Sequence, residues 1–397
     1  MDKKFRISLL FNANKVYDRQ VIEGIGEYLQ ASQCDWDIFL EEDFTTNINN
    51  FNQWHGDGVI ADFDNPEVIK QLENVTVPII GVGGSYQSEE DYPDVPYVAT
   101  DNYAVVEMAF EHLKKKGIEN FAFYGLPQSY VHGWAHERKK AFLQIVEKSG
   151  YSSSVYLGNE ISPQTWQYDM NRLSDWLQRL PAGTGIIAVT DARARHVLQA
   201  CDHLNLMVPD HLSVIGIDNE ELARYLTRVS LSSVGQGCKS MGHKAAKMLH
   251  NLLEKKSAQM NQEQPCKVVK HARVLVPPTQ VYERQSTDFQ ALKDPYVIQA
   301  MHYIRQHACR GIKVEQVLSY VGISRSNMEA RFKEERGHSI HQELHESKLN
   351  RAGNLLVSTE LPILEIADLC GYPSLQYMYT IFKKTHNKTP KEYRERS

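Results

Sequence analysis

The chain has 397 residues, of which 42% are hydrophobic and 23% are charged, and its net charge is −5. These values are typical of a globular protein with a sizeable core, and at about 150 residues per domain they predict two or three domains. No run of about 18 apolar residues occurs, which excludes a membrane-spanning helix. The cysteines are widely separated, as is typical of buried thiols in a reducing compartment, so we expect a cytoplasmic protein.

Charge is unevenly distributed along the chain. Residues 294–397 contain 15 Lys and Arg against 12 Asp and Glu, a net charge of +3, whereas residues 1–293 contain 29 against 37, a net charge of −8. A small basic segment attached to a larger acidic one suggests that only the C-terminal part meets a polyanion.

The first 290 residues alternate between strand and helix patterns. Short apolar runs predict strands at 6–11, 36–40, 58–61, 78–82, 121–124, 185–189 and 213–217. Amphipathic segments predict helices at 17–31, 102–115, 134–148 and 192–204. This alternation indicates βαβ units and mostly parallel sheets. Two successive α/β units of about 120 residues therefore predict two lobes, with a ligand cleft at the carboxyl ends of the strands.

Polar side chains follow several of these strands, at the edge where such a cleft would lie. They are Asn12, Asn14 and Asp62 in the first lobe, and Asp191, Asp218 and Asn219 in the second. A carboxylate at this place is about as often only the N-cap of the next helix. Several carboxylates that converge suit the vicinal hydroxyls of a sugar. Tyr17, Phe63 and Trp134 could stack on its ring, although each is by itself more typical of a core.

The segment 208–219, VPDHLSVIGIDN, resembles the ligand-binding domain of lactose/galactose-repressor-type regulators, which is similar to periplasmic sugar-binding proteins. Further stretches that resemble this family are 231–234, 241–246 and 284–287. The resemblance implies sugar contacts for Arg138, Asp191 and Asp218, with Ala141 standing where the family has Gly. The family's DNA-binding headpiece does not precede the first strand, so we expect DNA contacts to come from elsewhere.

The last hundred residues contain a repeat that indicates two helix-turn-helix units. One apolar helix face, interrupted at Gly322, consists of Val314, Val317, Leu318 and Val321. Ile363, Ile366, Ala367 and Cys370 repeat this face 49 residues later, and Gly371 repeats the interruption. We predict the two units at about 312–334 and 362–385, joined by a helix over 340–356. Two helical hairpins in a bundle are the alternative.

The second helix of each unit carries polar side chains that can read base edges. These side chains are Ser324, Arg325, Ser326, Asn327 and Glu329 in the first unit, and Ser374, Gln376, Tyr377 and Thr380 in the second. Four basic side chains suit phosphates: Arg331, Lys333, Lys383 and Lys384. The signature 366–394 resembles arabinose-regulator-type transcription factors, with Asn387 standing where the family usually has Gly. Asn tolerates a left-handed backbone, so we expect that turn to form.

The resemblances imply an α/β two-lobe periplasmic-binding-protein-like domain at 1–287, a connector at 288–294 and an all-α DNA-binding domain at 295–397. This uncommon pairing resembles regulators of pentose operons, as do the stretches 9–15, 81–86 and 188–195. It implies a transcriptional activator with D-xylose as effector, no cofactor, and promoter DNA and RNA polymerase as partners. We expect a homodimer in the bacterial cytoplasm, associated with the nucleoid. The alternatives are a repressor that sugar releases from DNA and a response to another monosaccharide.

Three other chemistries are weaker interpretations. The aspartates of the cleft could pair as in glycoside hydrolases, but nothing in the sequence marks one of them as a proton donor. His341 and His345 have the spacing of a zinc helix, but a third ligand is not evident. Gly81–Gly84 follows a strand without a helix start, which is not a dinucleotide fingerprint. We therefore expect neither an enzyme nor a metal site.

Overall fold

The computed structural model describes residues 4–40, 56–127, 133–160, 162–259, 272–288 and 294–395. The chain divides into two compact units, Met1–Phe289 and Gln290–Ser397. Most of the predicted connector, residues 289–293, lies outside the described ranges. Among the helices that are described, none combines the length and the apolar character that crossing a membrane requires.

The first unit has two lobes, each built on a six-stranded sheet. The first lobe contains β1 (Phe5–Leu10), β2 (Trp36–Leu40), β3 (Gly58–Asp62), β4 (Ile79–Gly84), β5 (Tyr97–Thr100) and β11 (Arg273–Val276). The second contains β6 (Asn120–Tyr124), β7 (Ser152–Tyr156), β8 (Thr184–Ala188), β9 (Leu212–Ile217), β10 (Ser232–Val234) and β12 (Val281–Tyr282). Their orders are β11-β5-β4-β3-β1-β2 and β12-β10-β9-β8-β6-β7. All described pairs are parallel except β10–β12.

Helices cover these sheets. They are α1 (Val16–Ser32), α2 (Pro66–Leu72), α3 (Asn102–Lys115), α4 (Gly133–Lys148), α5 (Trp166–Gln178), α6 (Asp191–His203), α7 (Glu221–Tyr225) and α8 (Cys238–Gln259). The predicted α/β class is confirmed. Strands β5, β7, β10, β11 and β12 have no predicted counterpart, because they are short or, like the serine-rich edge strand β7, lack an apolar run.

The chain passes between the lobes at three places, which the prediction of two successive units did not include. It crosses at α3, again between β10 and α8, and a third time between β11 and β12. Backbone hydrogen bonds join these crossings: Asp101 N donates to Val276 O over 3.0 Å, and Gly235 N to Gln280 O over 3.0 Å. Three adjacent crossings form a hinge, because bending there leaves both sheets intact.

In the first lobe α1 and α8 pack closely against each other over one face of the sheet. Val21 and Ile25 of α1 and Met241 and Leu249 of α8 belong to one buried core. Glycine permits the close approach of the two backbones: a Cβ atom at Gly24 would lie 1.9 Å from the carbonyl oxygen of Lys239. The contact therefore excludes any larger residue at Gly24.

The second unit is all helical, as predicted. It contains α9 (Pro295–His307), α10 (Val314–Val321), α11 (Arg325–Arg336), α12 (Ile340–Ser358), α13 (Ile363–Leu369), α14 (Leu375–His386) and α15 (Pro390–Arg394). The predicted repeat is confirmed, because Gly322 (φ 78°) and Gly371 (φ 67°) turn the chain between α10 and α11 and between α13 and α14. Asn387 has φ 54°, so the turn after α14 forms with a left-handed asparagine.

Substitution of Gly24 by Ala should destabilise the first unit by about 1–3 kcal/mol or more, because the added methyl group meets backbone atoms that cannot move aside. Gly26→Ala is the matched control in the same helix, since a Cβ atom there meets nothing within 4 Å. This control should stabilise the helix by up to about 1 kcal/mol. Urea unfolding of both variants measures the difference, and equal midpoints would contradict the close packing of α1 on α8.

Candidate ligand cleft and nucleic-acid interface

A cavity of about 400 Å³ lies between the lobes of the first unit. Its walls come from the carboxyl ends of the strands and the helix starts that follow them, as the parallel topology predicts. The polar and aromatic lining residues from the first lobe are Asn14, Lys15, Tyr17, Asp18, Asp62, Asp64 and Thr100. Those from the second lobe and the hinge are Trp134, Arg138, Thr190, Arg195, Asp218, Glu220 and Gln236.

Arg138 occupies the centre of this arrangement and is only 3% exposed. Its Nε donates to Asn102 Oδ1 over 3.0 Å, and its Nη1 donates to the carbonyl oxygen of Val189 over 2.7 Å. Its Nη2 donates to Gln236 Oε1. The Trp134 ring lies beneath the guanidinium, 4.7 Å from Cζ. Asn102 and Gln236 belong to two different hinge crossings, so Arg138 ties the hinge to the cavity wall.

Asp218 is held in an unusual backbone conformation. Its φ is 122° and that of Asn219 is 53°, values that residues with a side chain rarely adopt. Ser233 Oγ accepts a hydrogen bond from Asn219 N over 2.9 Å, and Arg284 Nη2 donates to Asn219 Oδ1 over 2.6 Å. Gln236 Nε2 donates to the Asp218 carboxylate. Strain that its surroundings maintain in this way is typical of functional sites.

On the first-lobe wall three carboxyl groups surround one lysine. Lys15 Nζ lies 3.4 Å from Asp62 Oδ2, while Asp62 Oδ1 accepts a hydrogen bond from Asp64 N over 2.9 Å. Both oxygens of Asp64 accept from Gly84 N at 3.0 Å. Asp18 Oδ2 accepts from Asn12 N over 2.7 Å, whereas its buried Oδ1 has no hydrogen-bond partner among the described residues.

Burial and the repulsion of neighbouring carboxylates raise the pKa values of Asp18 and Asp64. Burial and the neighbouring Asp62 carboxylate raise the pKa of Asp18 to about 8 and that of Asp64 to about 7. Burial also raises the pKa of Asp218 to about 6, although the Arg138 guanidinium opposes the shift. Near neutral pH the lining of the cavity therefore contains both protonated and ionised carboxyl groups. The protonated groups can donate hydrogen bonds, and the ionised groups accept them.

The structure brings six of the ten candidate cleft residues to the cavity: Asn14, Tyr17, Asp62, Trp134, Arg138 and Asp218. Asn219, described above, and three others lie outside its lining. Asn12 forms the turn before α1, where its Oδ1 accepts from Asn14 N over 3.1 Å. Phe63 packs edge-on against Tyr97 in the core. Asp191 is buried behind the wall, where it accepts from Ser233 Oγ and Glu220 N, both over 2.7 Å.

Several lining residues were not among the predicted ones, notably Lys15, Asp18, Asp64, Glu220 and Gln236. Asp64 follows β3 by only two positions, so the rule that selected Asp62 could have found it. Lys15 and Asp18 lie at the start of α1. They too are polar residues that follow a strand, in this case β1, so the same rule could have found them. Gln236 lies in a hinge crossing, where no pattern of strand and helix indicates a site.

In the second unit, apolar residues anchor α11 and α14 and leave their opposite faces to solvent. Met328 and Phe332 of α11, and Met378 and Phe382 of α14, are fully buried. Of the predicted base-contacting residues, Glu329 is half-buried and the others are exposed: Ser324, Arg325, Ser326, Asn327, Ser374, Gln376, Tyr377 and Thr380. Ser374 caps α14 by accepting from Tyr377 N over 3.2 Å, whereas Ser324 precedes α11 without such a bond.

The predicted phosphate contacts differ in their surroundings. Lys333, Lys383 and Lys384 are exposed. Arg331 instead forms an ion pair with Asp294 and donates from Nε to Asn327 Oδ1 over 2.7 Å. A phosphate at Arg331 would therefore compete with the Asp294 carboxylate.

One group of side chains at the start of α12 has the composition of a metal site. Ligand atoms of His338, Glu343 and Glu346 lie within 4.8 Å of one another. However, Arg336 Nη2 donates to Glu343 Oε2 over 2.9 Å, and His338 Nε2 lies 2.8 Å from the same oxygen. Because the Arg336 guanidinium already neutralises the buried Glu343 carboxylate, we interpret these side chains as an ion-pair network. The network fixes the turn between α11 and α12.

Comparisons with known proteins cover the whole chain. The XylR N-terminal domain matches residues 6–103, a periplasmic binding protein-like domain matches 110–287, and a helix-turn-helix domain matches 317–396. The xylose operon regulatory protein of Escherichia coli (strain K12) is 61% identical over 393 residues, which cover 99% of this chain and 97% of that protein. That of Haemophilus influenzae is 52% identical over 99% of both chains.

A solved structure extends this similarity to the fold. The structure of a xylose-binding transcription activator, xylR, matches with a TM-score of 0.88 and 60% sequence identity. The match covers 100% of this chain and 99% of that chain. Sequence and fold therefore agree over the full length.

The buried carboxyl of Asp18 should make stability depend on pH. Its pKa is about 8 in the folded protein against 3.8 ordinarily, so between about pH 4 and 8 the folded state binds the proton that the unfolded state has lost. Stability should therefore fall as pH rises through this window, by up to about 1.4 kcal/mol per unit. Asp18→Asn removes this dependence. Denaturant unfolding at pH 5 and pH 8 measures the free energy of unfolding. Relative to the wild type, this free energy should be higher for the variant at pH 8 than at pH 5. The same difference between the two proteins at both pH values would contradict the assignment.

Proposed function

Because the chain belongs to the family of xylose operon regulatory proteins, we propose that it activates transcription in response to D-xylose. It is a transcription regulator with a helix-turn-helix domain and not an enzyme. The proposal assigns the sugar to the interlobe cavity and promoter DNA to α11 and α14. The observation that carries it is the position of Arg138, which joins the cavity wall to two hinge crossings.

The cavity has the chemistry that a neutral polyol requires. Sugar hydroxyls donate to ionised carboxylates and accept from Lys15, Arg138 and Gln236, while Trp134 offers an aromatic surface. We assign Asp62 and Asp64 to one side of the sugar and Asp218 to the other. Asp191 acts through Asp218 and Glu220 in this scheme, since it lies behind them.

A sugar that bridges the lobes favours the closed arrangement of the cleft. Side-chain contacts also join the two lobes directly. Arg19 Nη2 lies 3.7 Å from Glu220 Oε1, and Gln87 Nε2 donates to Gln144 Oε1 over 3.1 Å. An exposed pair of this kind contributes about 0–1 kcal/mol, so the sugar supplies most of the preference for closure.

The dimensions of the helical unit would allow two helices to enter successive turns of the major groove. The 19 residues of α12 span about 28 Å, close to the roughly 34 Å between successive turns of a major groove. We assign base contacts to the exposed faces of α11 and α14, and phosphate contacts to Lys333, Lys383 and Lys384. The proposal also includes a homodimer that binds paired DNA sites, recruitment of RNA polymerase and association with the nucleoid.

Replacement of Asp218 by Asn should weaken D-xylose binding at least tenfold, because the charge-assisted hydrogen bond is lost while Asn still tolerates the positive φ. Asp35→Asn, an exposed position beside β2, is the control and should bind as the wild type does. Titration calorimetry measures both. Unchanged affinity in Asp218→Asn would contradict the assigned site, and equal binding of D-ribose would favour a different effector.

Lys383→Ala should weaken binding to all DNA sequences and reduce the salt dependence, because one phosphate contact is lost. Gln376→Ala should instead relax the preference at particular base pairs. Lys148→Ala, an exposed lysine of the first unit, is the control for the loss of charge. Gel-shift titrations at two salt concentrations measure these effects. A footprint confined to one groove would exclude α11 or α14 as a reader.

Sugar should raise the affinity for DNA with two half-sites by 5- to 150-fold, which corresponds to a coupling of about 1–3 kcal/mol. Gel shifts with and without D-xylose measure this factor, and calorimetry in the presence of DNA should return the same factor for the sugar. Asp218→Asn should lose the response but keep its sugar-free DNA affinity. Release of the protein by D-xylose would establish the repressor alternative.

A further inference from the structure

Two cysteines from distant parts of the chain meet within the helical unit. Cys309 lies in the short 3-10 helix Ala308–Arg310 that follows α9, and Cys370 ends α13. The backbones touch at this point, since a Cβ atom at Gly371 would lie 2.4 Å from the carbonyl oxygen of Cys309. Cys309 packs against the core cluster that contains Cys370. The contact therefore joins the segment before the first helix-turn-helix unit to the turn of the second.

The two thiols differ in access and surroundings. Cys370 is fully buried, whereas Cys309 is half-buried and open to small solutes. Lys348 and Arg351 of α12 are the cations that face Cys309, and Lys348 Nζ also donates to the carbonyl oxygen of Gly371 over 3.0 Å. The phenol of Tyr372 is also close enough to both thiols to interact with them electrostatically.

These surroundings activate one thiol and not the other. Hydrogen bonding with the Cys370 thiol lowers the pKa of Cys309 to about 7, and the two cations contribute although burial opposes them. The same hydrogen bond and burial raise the pKa of Cys370. Cys309 therefore reacts as the thiolate, and Cys370 stays protonated until a second step requires it.

We propose that Cys309 and Cys370 form a two-electron oxidation site, at which a hydroperoxide generates an intramolecular disulfide between the segment that precedes the first helix-turn-helix unit and the turn of the second. The hydroperoxide is the oxidant, and a cytosolic dithiol reductant reverses the reaction. The site is independent of the sugar cleft and of the proposed response to D-xylose.

The reaction balances in two steps. The Cys309 thiolate attacks the peroxide, the O–O bond breaks, and the sulfur becomes a sulfenic acid while the leaving oxygen takes a proton to form water or an alcohol. The Cys370 sulfur then attacks the Cys309 sulfur, the S–O bond breaks and the S–S bond forms. The proton of Cys370 leaves with the departing oxygen as a second water.

The disulfide would close a loop of about 60 residues that contains α10, α11, α12 and α13. A cross-link over such a loop restricts the unfolded chain, so oxidation should raise the temperature at which the helical unit unfolds. It also fixes the distance between the start of the first helix-turn-helix unit and the turn of the second. A sulfenic acid or an irreversible oxidation product would have neither effect.

The test treats the full-length protein with hydrogen peroxide near pH 7.5. Mass spectrometry should show the loss of two hydrogen masses and a Cys309–Cys370 peptide, both reversed by dithiothreitol. Cys370→Ser should stop at a sulfenic acid on Cys309 that dimedone traps. Cys309→Ser should leave Cys370 unmodified, and Cys34→Ser, the control at another half-buried cysteine, should oxidise as the wild type does.

Three outcomes would overturn the proposal. A disulfide that uses another cysteine in preference is the first. The second is a Cys309 that reacts with peroxide no faster than Cys34 does. The third is a wild-type protein whose Cys309 accumulates sulfinic acid without the cross-linked peptide. The wild-type measurements decide each of them even if a serine variant fails to fold.

Discussion

The buried guanidinium of Arg138 is the interaction on which the first unit depends. Removing an arginine from water costs several kcal/mol, and only a full set of partners offsets this cost. Asn102, Val189 and Gln236 supply acceptors from two hinge crossings and the end of β8. The charge is therefore stable only where the hinge meets the second-lobe wall of the cavity. Deleting it would leave buried acceptors without a donor, so its loss affects folding as well as ligand binding.

The strain at Asp218 follows from the same arrangement. A positive φ at two successive residues is unfavourable, and hydrogen bonds from Gln236 and Arg284 and to Ser233 hold it in place. The turn directs the carboxylate towards Arg138 instead of leaving it as an ordinary helix cap. Since Gln236 bonds both Arg138 and Asp218, any group that displaces one contact changes the other. The cleft and the hinge thus share one hydrogen-bond network.

Sequence patterns predicted those parts of the fold that local physics determines. The repeat at Gly322 and Gly371 could be predicted from the sequence, because apolar periodicity and a left-handed glycine are local signals. The hinge was not, since the return of β11 and β12 to their sheets depends on pairing between distant short strands. The candidate site divides in the same way. Asp62 and Asp218 stand at the ends of strands that clear apolar runs predict. Gln236 becomes part of the cavity only when the three crossings of the hinge pack together.

Helices α11 and α14, which we propose as the base-reading helices, are equivalent in fold but differ in their electrostatic surroundings. In α14 the paired Lys383 and Lys384 are exposed next to the buried Phe382. In α11 the Arg331 guanidinium is engaged by Asp294, which also caps α9 by accepting from Tyr296 N over 2.9 Å. A DNA phosphate that recruited Arg331 would have to replace this carboxylate and would act on the first turn of α9. Because α9 begins directly after the segment that joins the two units, the DNA contact proposed for α11 would act on the first helix that follows the first unit in the chain.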